Sequence, residues 1–147
     1  MKKVVIYTDG GARGNPGPAA MGIAFYNEKG EVFKEYSEYL GDNNTNNEAE
    51  YNAVLFALKK FKQVFGSKIA KSSEIELRSD SELLVSQLNG RYKVLNPEIQ
   101  SLFLQVWNLK MDFQKVKFTL VPRSKNQKAD SLVNQALDSV DKNQKLF

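Results

Sequence analysis

Val4-Val5-Ile6-Tyr7-Thr8-Asp9-Gly10-Gly11-Ala12-Arg13-Gly14-Asn15-Pro16-Gly17-Pro18 reads as an apolar strand that ends on a carboxylate and passes into a glycine- and proline-rich turn. Its first four residues are β-branched or aromatic, the types that suit a buried strand. A second short strand, Glu74-Ile75-Glu76-Leu77-Arg78-Ser79, is closed by Asp80 in the same way. If the crossover between these strands is helical and right-handed, they lie parallel and can be neighbours. Open α/β sheets place ligands at the carboxyl ends of their strands. A lone Asp at such a point is accounted for by a turn or a helix cap. Two at equivalent strand ends point to a shared site.

Outward from these strands the chain alternates. Residues 20–27 put Met21, Ile23 and Phe25 on one side and Gly22, Ala24 and Tyr26 on the other. Asn27-Glu28-Lys29-Gly30 is a turn, and a third strand follows through Val32, Lys34, Tyr36 and Glu38. The polar loop 42–47 leads into a helix from about Asn47 to Phe65, stopped by Gly66. After the strand at 74–79, a short helix runs from Ser81 to Asn89-Gly90. Pro97 starts another, with the stripe Ile99, Leu102, Phe103, Val106, Leu109 and Phe113. Lys115–Val121 is a last strand, and a closing helix from near Asn126 frays into a polar tail after Val140. Hairpin-linked strands followed by helix–strand alternation predict an α/β fold with a mixed five-stranded sheet. Residues 1–147 suit one domain with its core at about 3–140.

The helix at 47–65 carries its own clue. At about 100° per residue, Glu50 falls on the face of Ala53, Val54, Ala57, Leu58, Phe61 and Phe65. A carboxylate on an apolar face must find a partner or lose its charge. Glu48 lies on the opposite, solvated face, where the helix dipole favours an acid. Asp130 edges the stripe Ala129, Val133, Ala136, Leu137 and Val140 of the closing helix. Convergence of Asp9, Glu50, Asp80 and Asp130 would be repulsive without a cation, so the pattern argues for a divalent metal. The chain has no His and no Cys, which excludes imidazole bases, thiolate nucleophiles and the usual zinc sites. The glycine-rich turn has neither the dinucleotide spacing nor the Gly-Lys-Ser/Thr of a P-loop. A tight hairpin turn accounts for it, and close approach to a sugar-phosphate backbone is the functional alternative. Net charge of +4 and a pI near 9.2 favour a polyanionic partner, the more so if four acids are committed to metal. Trp107 reads as core or edge packing. Tyr92, between Arg91 and Lys93, is a candidate nucleic-acid contact.

These residues resemble the type 1 ribonucleases H. Thr8 through Pro18 looks like that family's opening signature, and Thr45-Asn46-Asn47-Glu48-Ala49-Glu50 is similar to its Thr-Asn-Asn-x-x-Glu helix start. Ser79-Asp80-Ser81 and Asn126-Gln127-Lys128-Ala129-Asp130 resemble its third and fourth acidic motifs. The resemblance spans about residues 4–137. It implies a ribonuclease H-like fold with helices on both faces of the sheet. It also implies an endonuclease that cuts the RNA strand of RNA/DNA hybrids and leaves 5′-phosphate and 3′-hydroxyl ends. By the same resemblance, Asp9, Glu50, Asp80 and Asp130 hold two Mg²⁺ ions about 4 Å apart, with Mn²⁺ able to substitute. Gly10, Gly11, Asn15, Thr45, Asn46 and Asn47 take positions that contact the hybrid.

Three departures stand out. Better-known members have a His in the loop before the last acid; here Pro122-Arg123-Ser124-Lys125 offers Arg123, which holds a phosphate but cannot shuttle a proton. The basic protrusion after the third acid's helix shrinks to Arg91-Tyr92-Lys93, and Glu82 replaces a Gln near the RNA. With no long apolar stretch, the chain is expected to be cytoplasmic, off the membrane and monomeric, with no obligate protein partner. Two other classes stay open: a relative that binds hybrid or double-stranded RNA with weak or lost catalysis, and another metal nuclease or strand-transfer enzyme of the same fold.

Overall fold

In the computed structural model, which describes residues 2–145, the strands are β1 (Lys2–Ala12), β2 (Gly17–Tyr26), β3 (Val32–Asn44), β4 (Ser73–Ser79) and β5 (Lys115–Leu120). They form one mixed sheet in the order β3-β2-β1-β4-β5. The first three are antiparallel neighbours, and β4 and β5 add parallel to β1. The sequence reading of a meander followed by parallel strands holds.

β1 differs from expectation in length. Its parallel ladder to β4 ends at Tyr7↔Arg78, but its antiparallel ladder to β2 continues through Asp9↔Gly22 to Ala12↔Ala19. Asp9 therefore lies in mid-strand, just past the point where one neighbour has gone. The turn is confined to residues 13–16, because Gly10, Gly11 and Ala12 are held in the hairpin. β3 likewise runs beyond Glu38 to Asn44, since pairing with β2 continues to Gly17↔Asn44.

The helices are α1 (Asn46–Phe65), α2 (Ser67–Lys71), α3 (Glu82–Leu88), α4 (Pro97–Lys110) and α5 (Gln127–Lys145), with a 3₁₀ turn at Arg123–Lys125 before α5. Five-residue α2 is too short to leave a periodic trace in sequence. Successive residues of a strand face opposite sides of the sheet. A side chain at Gly10 would strike α1 and one at Gly11 would meet Val133 of α5, so helices cover both faces. The main core lies on the α1 side, where Ile6, Ile23 and Phe25 pack with Val54, Leu58 and Phe61. α4 closes that layer through Ile99 and Val106, with Leu102, Phe103 and Leu109 partly buried against it, as its stripe predicts. Under α5 is a smaller cluster of Ala20, Val133, Ala136 and Leu137.

α5 does not fray after Val140; it continues to Lys145. Arg13, in the β1–β2 turn, reaches Asp138 at 2.6 Å and Asp141 at 2.5 Å and ties the far end of α5 to the hairpin. Among the described residues, no helix is long and apolar enough to cross a membrane.

Candidate active site

Two backbone approaches build the site. A Cβ on Gly10 would sit 2.3–2.5 Å from the backbone of Ala49 and Glu50, so only glycine lets the first turns of α1 lie against β1. On the other face, a Cβ on Gly22 would sit 2.1 Å from the carbonyl oxygen of Ala129 in α5. Gly22 is the partner of Asp9 across the hairpin. The two helices that carry Glu50 and Asp130 are thus brought in on either side of Asp9.

The start of α1 is held by a capping box. Thr45 Oγ1 accepts from the Glu48 amide at 3.1 Å, and Glu48 Oε1 accepts from the Thr45 amide at 3.0 Å. Glu48 is therefore folded back onto the helix start and half-buried, rather than solvated through the dipole alone. The same helix start is sewn to the glycine-rich turn. Asn46 Oδ1 accepts from the Ala12 amide at 2.8 Å, and Asn15 Oδ1 accepts from the Asn46 amide at 3.0 Å. Asn15, Thr45, Asn46 and Asn47 share one groove with Ser81 and Asn96. Asn15 and Asn46 hold the turn with their side-chain oxygens, and Thr45 caps α1 with its hydroxyl.

Oxygens of Asp9, Glu50 and Asp80 all lie within 4.8 Å of one another. Asp9 and Glu50 are buried, and Glu50 Oε2 has no hydrogen-bond partner. Burial pushes the Asp9 carboxyl up from 3.8 to about 7, helped by the charges of Asp80 and then Asp130. Glu50 is raised well above its ordinary value, by burial first and then by Asp9 and Asp80. Asp130 is exposed, but it lines the same cleft of about 410 Å³ as Asp9, Glu50 and Asp80, at its rim and within hydrogen-bond reach of Asp9. The structure thus packs three of the four acids and leaves the fourth beside Asp9, with Asn134 Nδ2 at 3.5 Å. Arg123, Gly10 and Gly11 also line this cleft. An orphaned carboxylate oxygen in a cluster of acids that resist joint ionisation suits a hard, oxygen-seeking dication.

Two buried polar residues in this region carry no periodic signal in sequence. Ser79 Oγ accepts from the Ser81 amide at 3.1 Å and bends the chain around Asp80, while Ser81 caps α3. Asn126, fully buried, donates from Nδ2 to the Thr8 carbonyl at 2.9 Å. Both stand in the acidic motifs by which the chain resembles the ribonucleases H; apart from that resemblance, a Ser at a strand end and an Asn before a helix read equally well as turn chemistry. Tyr92 is exposed and donates to Glu82 at 2.9 Å, which joins the reduced protrusion to the start of α3. Trp107 is an edge residue, stacked on Phe103 with Lys110 Nζ 3.7 Å from its ring centre.

The family described as Reverse transcriptase-like matches residues 7–136. A ribonuclease H1 isolated from compost by a metagenomic approach has the same fold at a TM-score of 0.88, with 46% identity over 95% of this chain and 99% of that one. The chain belongs to the type 1 ribonuclease H family. A solved structure of that compost enzyme is in complex with RNA/DNA hybrid. Ribonuclease H1 of Halobacterium salinarum is 38% identical, with a TM-score of 0.85 over 93% of this chain and 98% of that one. A bifunctional protein of Mycobacterium tuberculosis is 36% identical over 138 residues, which are 93% of this chain and 36% of that protein. The chain therefore spans about a third of that relative's length.

Proposed function

We propose that this chain is a metal-dependent endonuclease that hydrolyses the RNA strand of RNA/DNA hybrids and leaves 5′-phosphate and 3′-hydroxyl ends. The observation that carries the reading is the cluster of Asp9, Glu50 and Asp80 oxygens within 4.8 Å, in the fold of the ribonucleases H. In this reading Asp9, Glu50 and Asp80 hold Mg²⁺ or Mn²⁺, and Asp130 completes a two-ion site from the rim. Bound there, the metal would supply Lewis acidity for the activation of water and for the departing 3′ oxygen.

The chain's own residues do the rest. Asp9, raised to about 7, is partly protonated near neutral pH, and a cation held by the cluster would favour its ionised form. Gly10 and the Thr45–Glu48 box fix the helix that carries Glu50, so its oxygen is placed before substrate arrives. Asn15, Thr45, Asn46 and Asn47 present polar groups to the hybrid backbone along the groove beside the acids. Arg123, exposed at the cleft, offers its guanidinium to a phosphate. Recognition is of backbone shape and 2′-hydroxyls rather than of base sequence.

The test is cleavage of end-labelled RNA/DNA hybrid, RNA duplex and DNA duplex of one sequence, in Mg²⁺ and in chelator. Cutting of the hybrid's RNA strand alone, only with Mg²⁺, is the predicted result. Equal cutting of RNA duplex, or any cutting in chelator, contradicts the proposal.

A further inference from the structure

Asn126 sits where a helix cap belongs, one residue before α5, and does not cap. A capping Asn uses its side-chain oxygen to accept from the first helical amides. Asn126 Oδ1 has no partner, and the Nδ2 instead crosses to the Thr8 carbonyl at 2.9 Å. The side chain is fully buried. Burying an amide with one end unsatisfied costs stability. Its placement therefore calls for a return other than local helix stability.

The contact falls at a particular point of the sheet. The ladder from β1 to β4 ends at Tyr7↔Arg78, and Thr8 is the next residue of β1. Asn126 takes hold of the strand there, one residue before Asp9. From the same residue the Asn126 carbonyl accepts from the Asp130 amide at 3.1 Å. Two hydrogen bonds through one residue thus join the backbone beside Asp9 to the backbone of Asp130. The Asp130 side chain is exposed, with Asn134 Nδ2 at 3.5 Å and the Asp9 carboxyl as its side-chain neighbours, so the Asn126 link is the one that fixes its backbone to β1.

We propose that Asn126 is a positioning residue that sets the exposed acid Asp130 against the buried acid Asp9. This rests on the ribonuclease reading above for its consequence in turnover, but not for the tether itself. The closest distinguishing variant is Asn126→Asp, which keeps the shape and replaces the donating nitrogen with an acceptor. Asn126→Ser, which cannot reach Thr8, is the second variant.

Both are compared with the wild type by amide hydrogen exchange of the metal-free protein and by kcat and KM for hybrid in Mg²⁺. Exchange at the Asp130 amide should quicken roughly tenfold or more relative to Leu77 of β4, a local loosening that a global loss of stability would not produce. The kcat should fall roughly 10–100-fold, the scale seen for groups that orient ligands, with KM within about twofold. Wild-type kcat in a folded variant, Asp130 exchange that tracks Leu77, or loss of the fold in both variants overturns the assignment. A wild type that cleaves no hybrid would instead sink the ribonuclease reading, and the exchange data would still decide whether the tether exists.

Discussion

α1 and α5 reach the sheet from opposite faces, each admitted by a glycine, yet they deliver their acids into different surroundings. α1 presses on Gly10 and brings Glu50 in buried, in contact with two other carboxylates. α5 presses on Gly22 and brings Asp130 only to the rim, in solvent. The buried side of the site crowds carboxylates away from water, whereas the rim side holds an exposed carboxylate at little cost to the fold. The four acids are therefore not equivalent, and each side can be perturbed separately.

The largest expected effect lies on the buried side. Asp9→Asn should reduce hybrid cleavage to background, because the amide lacks the carboxylate charge that would hold a cation, while the metal-free protein melts higher. Relief of crowded charge of about 1–2 kcal/mol would raise Tm by roughly 2–8 °C at this chain length. Turnover above about a hundredth of wild type would break the comparison at its centre. Asp130→Asn, on the rim, should lose less turnover than Asp9→Asn and leave Tm within about 2 °C. Equal losses would mean that exposure does not grade the acids.

Glu50 and Glu48 sharpen the contrast within one helix. Glu50→Gln should lose roughly 100-fold or more in turnover, on the scale of an electrostatic catalytic group. Glu48→Gln should stay within a few-fold, and its cost should appear as about 0.5–1 kcal/mol of stability, since Gln can still serve the capping box less strongly. Chemical denaturation and steady-state rates on the same preparations separate the two.

Much of this was legible in the chain, and for physical reasons. Period-two and period-3.6 patterns report burial directly, which is why the strands, the α4 stripe and the inward phase of Glu50 agree with the structure. Contacts between distant segments leave no period. Continuation of β1 past Asp9 depends on pairing with β2, and the run of α5 to Lys145 is accompanied by the grip of Arg13 on Asp138 and Asp141. A Gly at position 10 looks like turn chemistry until α1 is seen 2.3 Å from its missing Cβ. The helix wheel also placed Glu48 in solvent because it knows direction but not capping geometry. Asp130 at the stripe's edge matches its exposed place beside Asp9, in the cleft that all four acids line.

The pH dependence of stability tests the buried side more gently. Asp9 holds its proton to about pH 7 in the folded state but only to about 4 when unfolded, so its protonated form favours the fold. That contribution is fully present below pH 4 and is lost as pH rises through 7; Glu50 acts in the same direction. Without metal, Tm should therefore fall between pH 4 and 8, and the fall should shrink in Asp9→Asn. A Tm that climbs across this range in the wild type, with no difference in the variant, would contradict the crowding of charge.

The smallest effect belongs to Arg123, exposed at the cleft mouth. Arg123→Ala should weaken hybrid binding modestly and flatten the salt slope by roughly one unit, with no change in sequence preference. An unaltered slope would leave it outside the substrate path.

The central claim is that Asp9, Glu50 and Asp80 form a site which only a cation completes. Calorimetric titration of Mn²⁺ into the metal-free wild type and into Asp9→Asn at pH 6.5, in two buffers of different ionisation enthalpy, tests it most directly. The account predicts binding by the wild type with buffer-dependent heat, because the cation displaces the proton held by Asp9, and no measurable binding by the variant. Identical isotherms for the two proteins, independent of buffer, would contradict it.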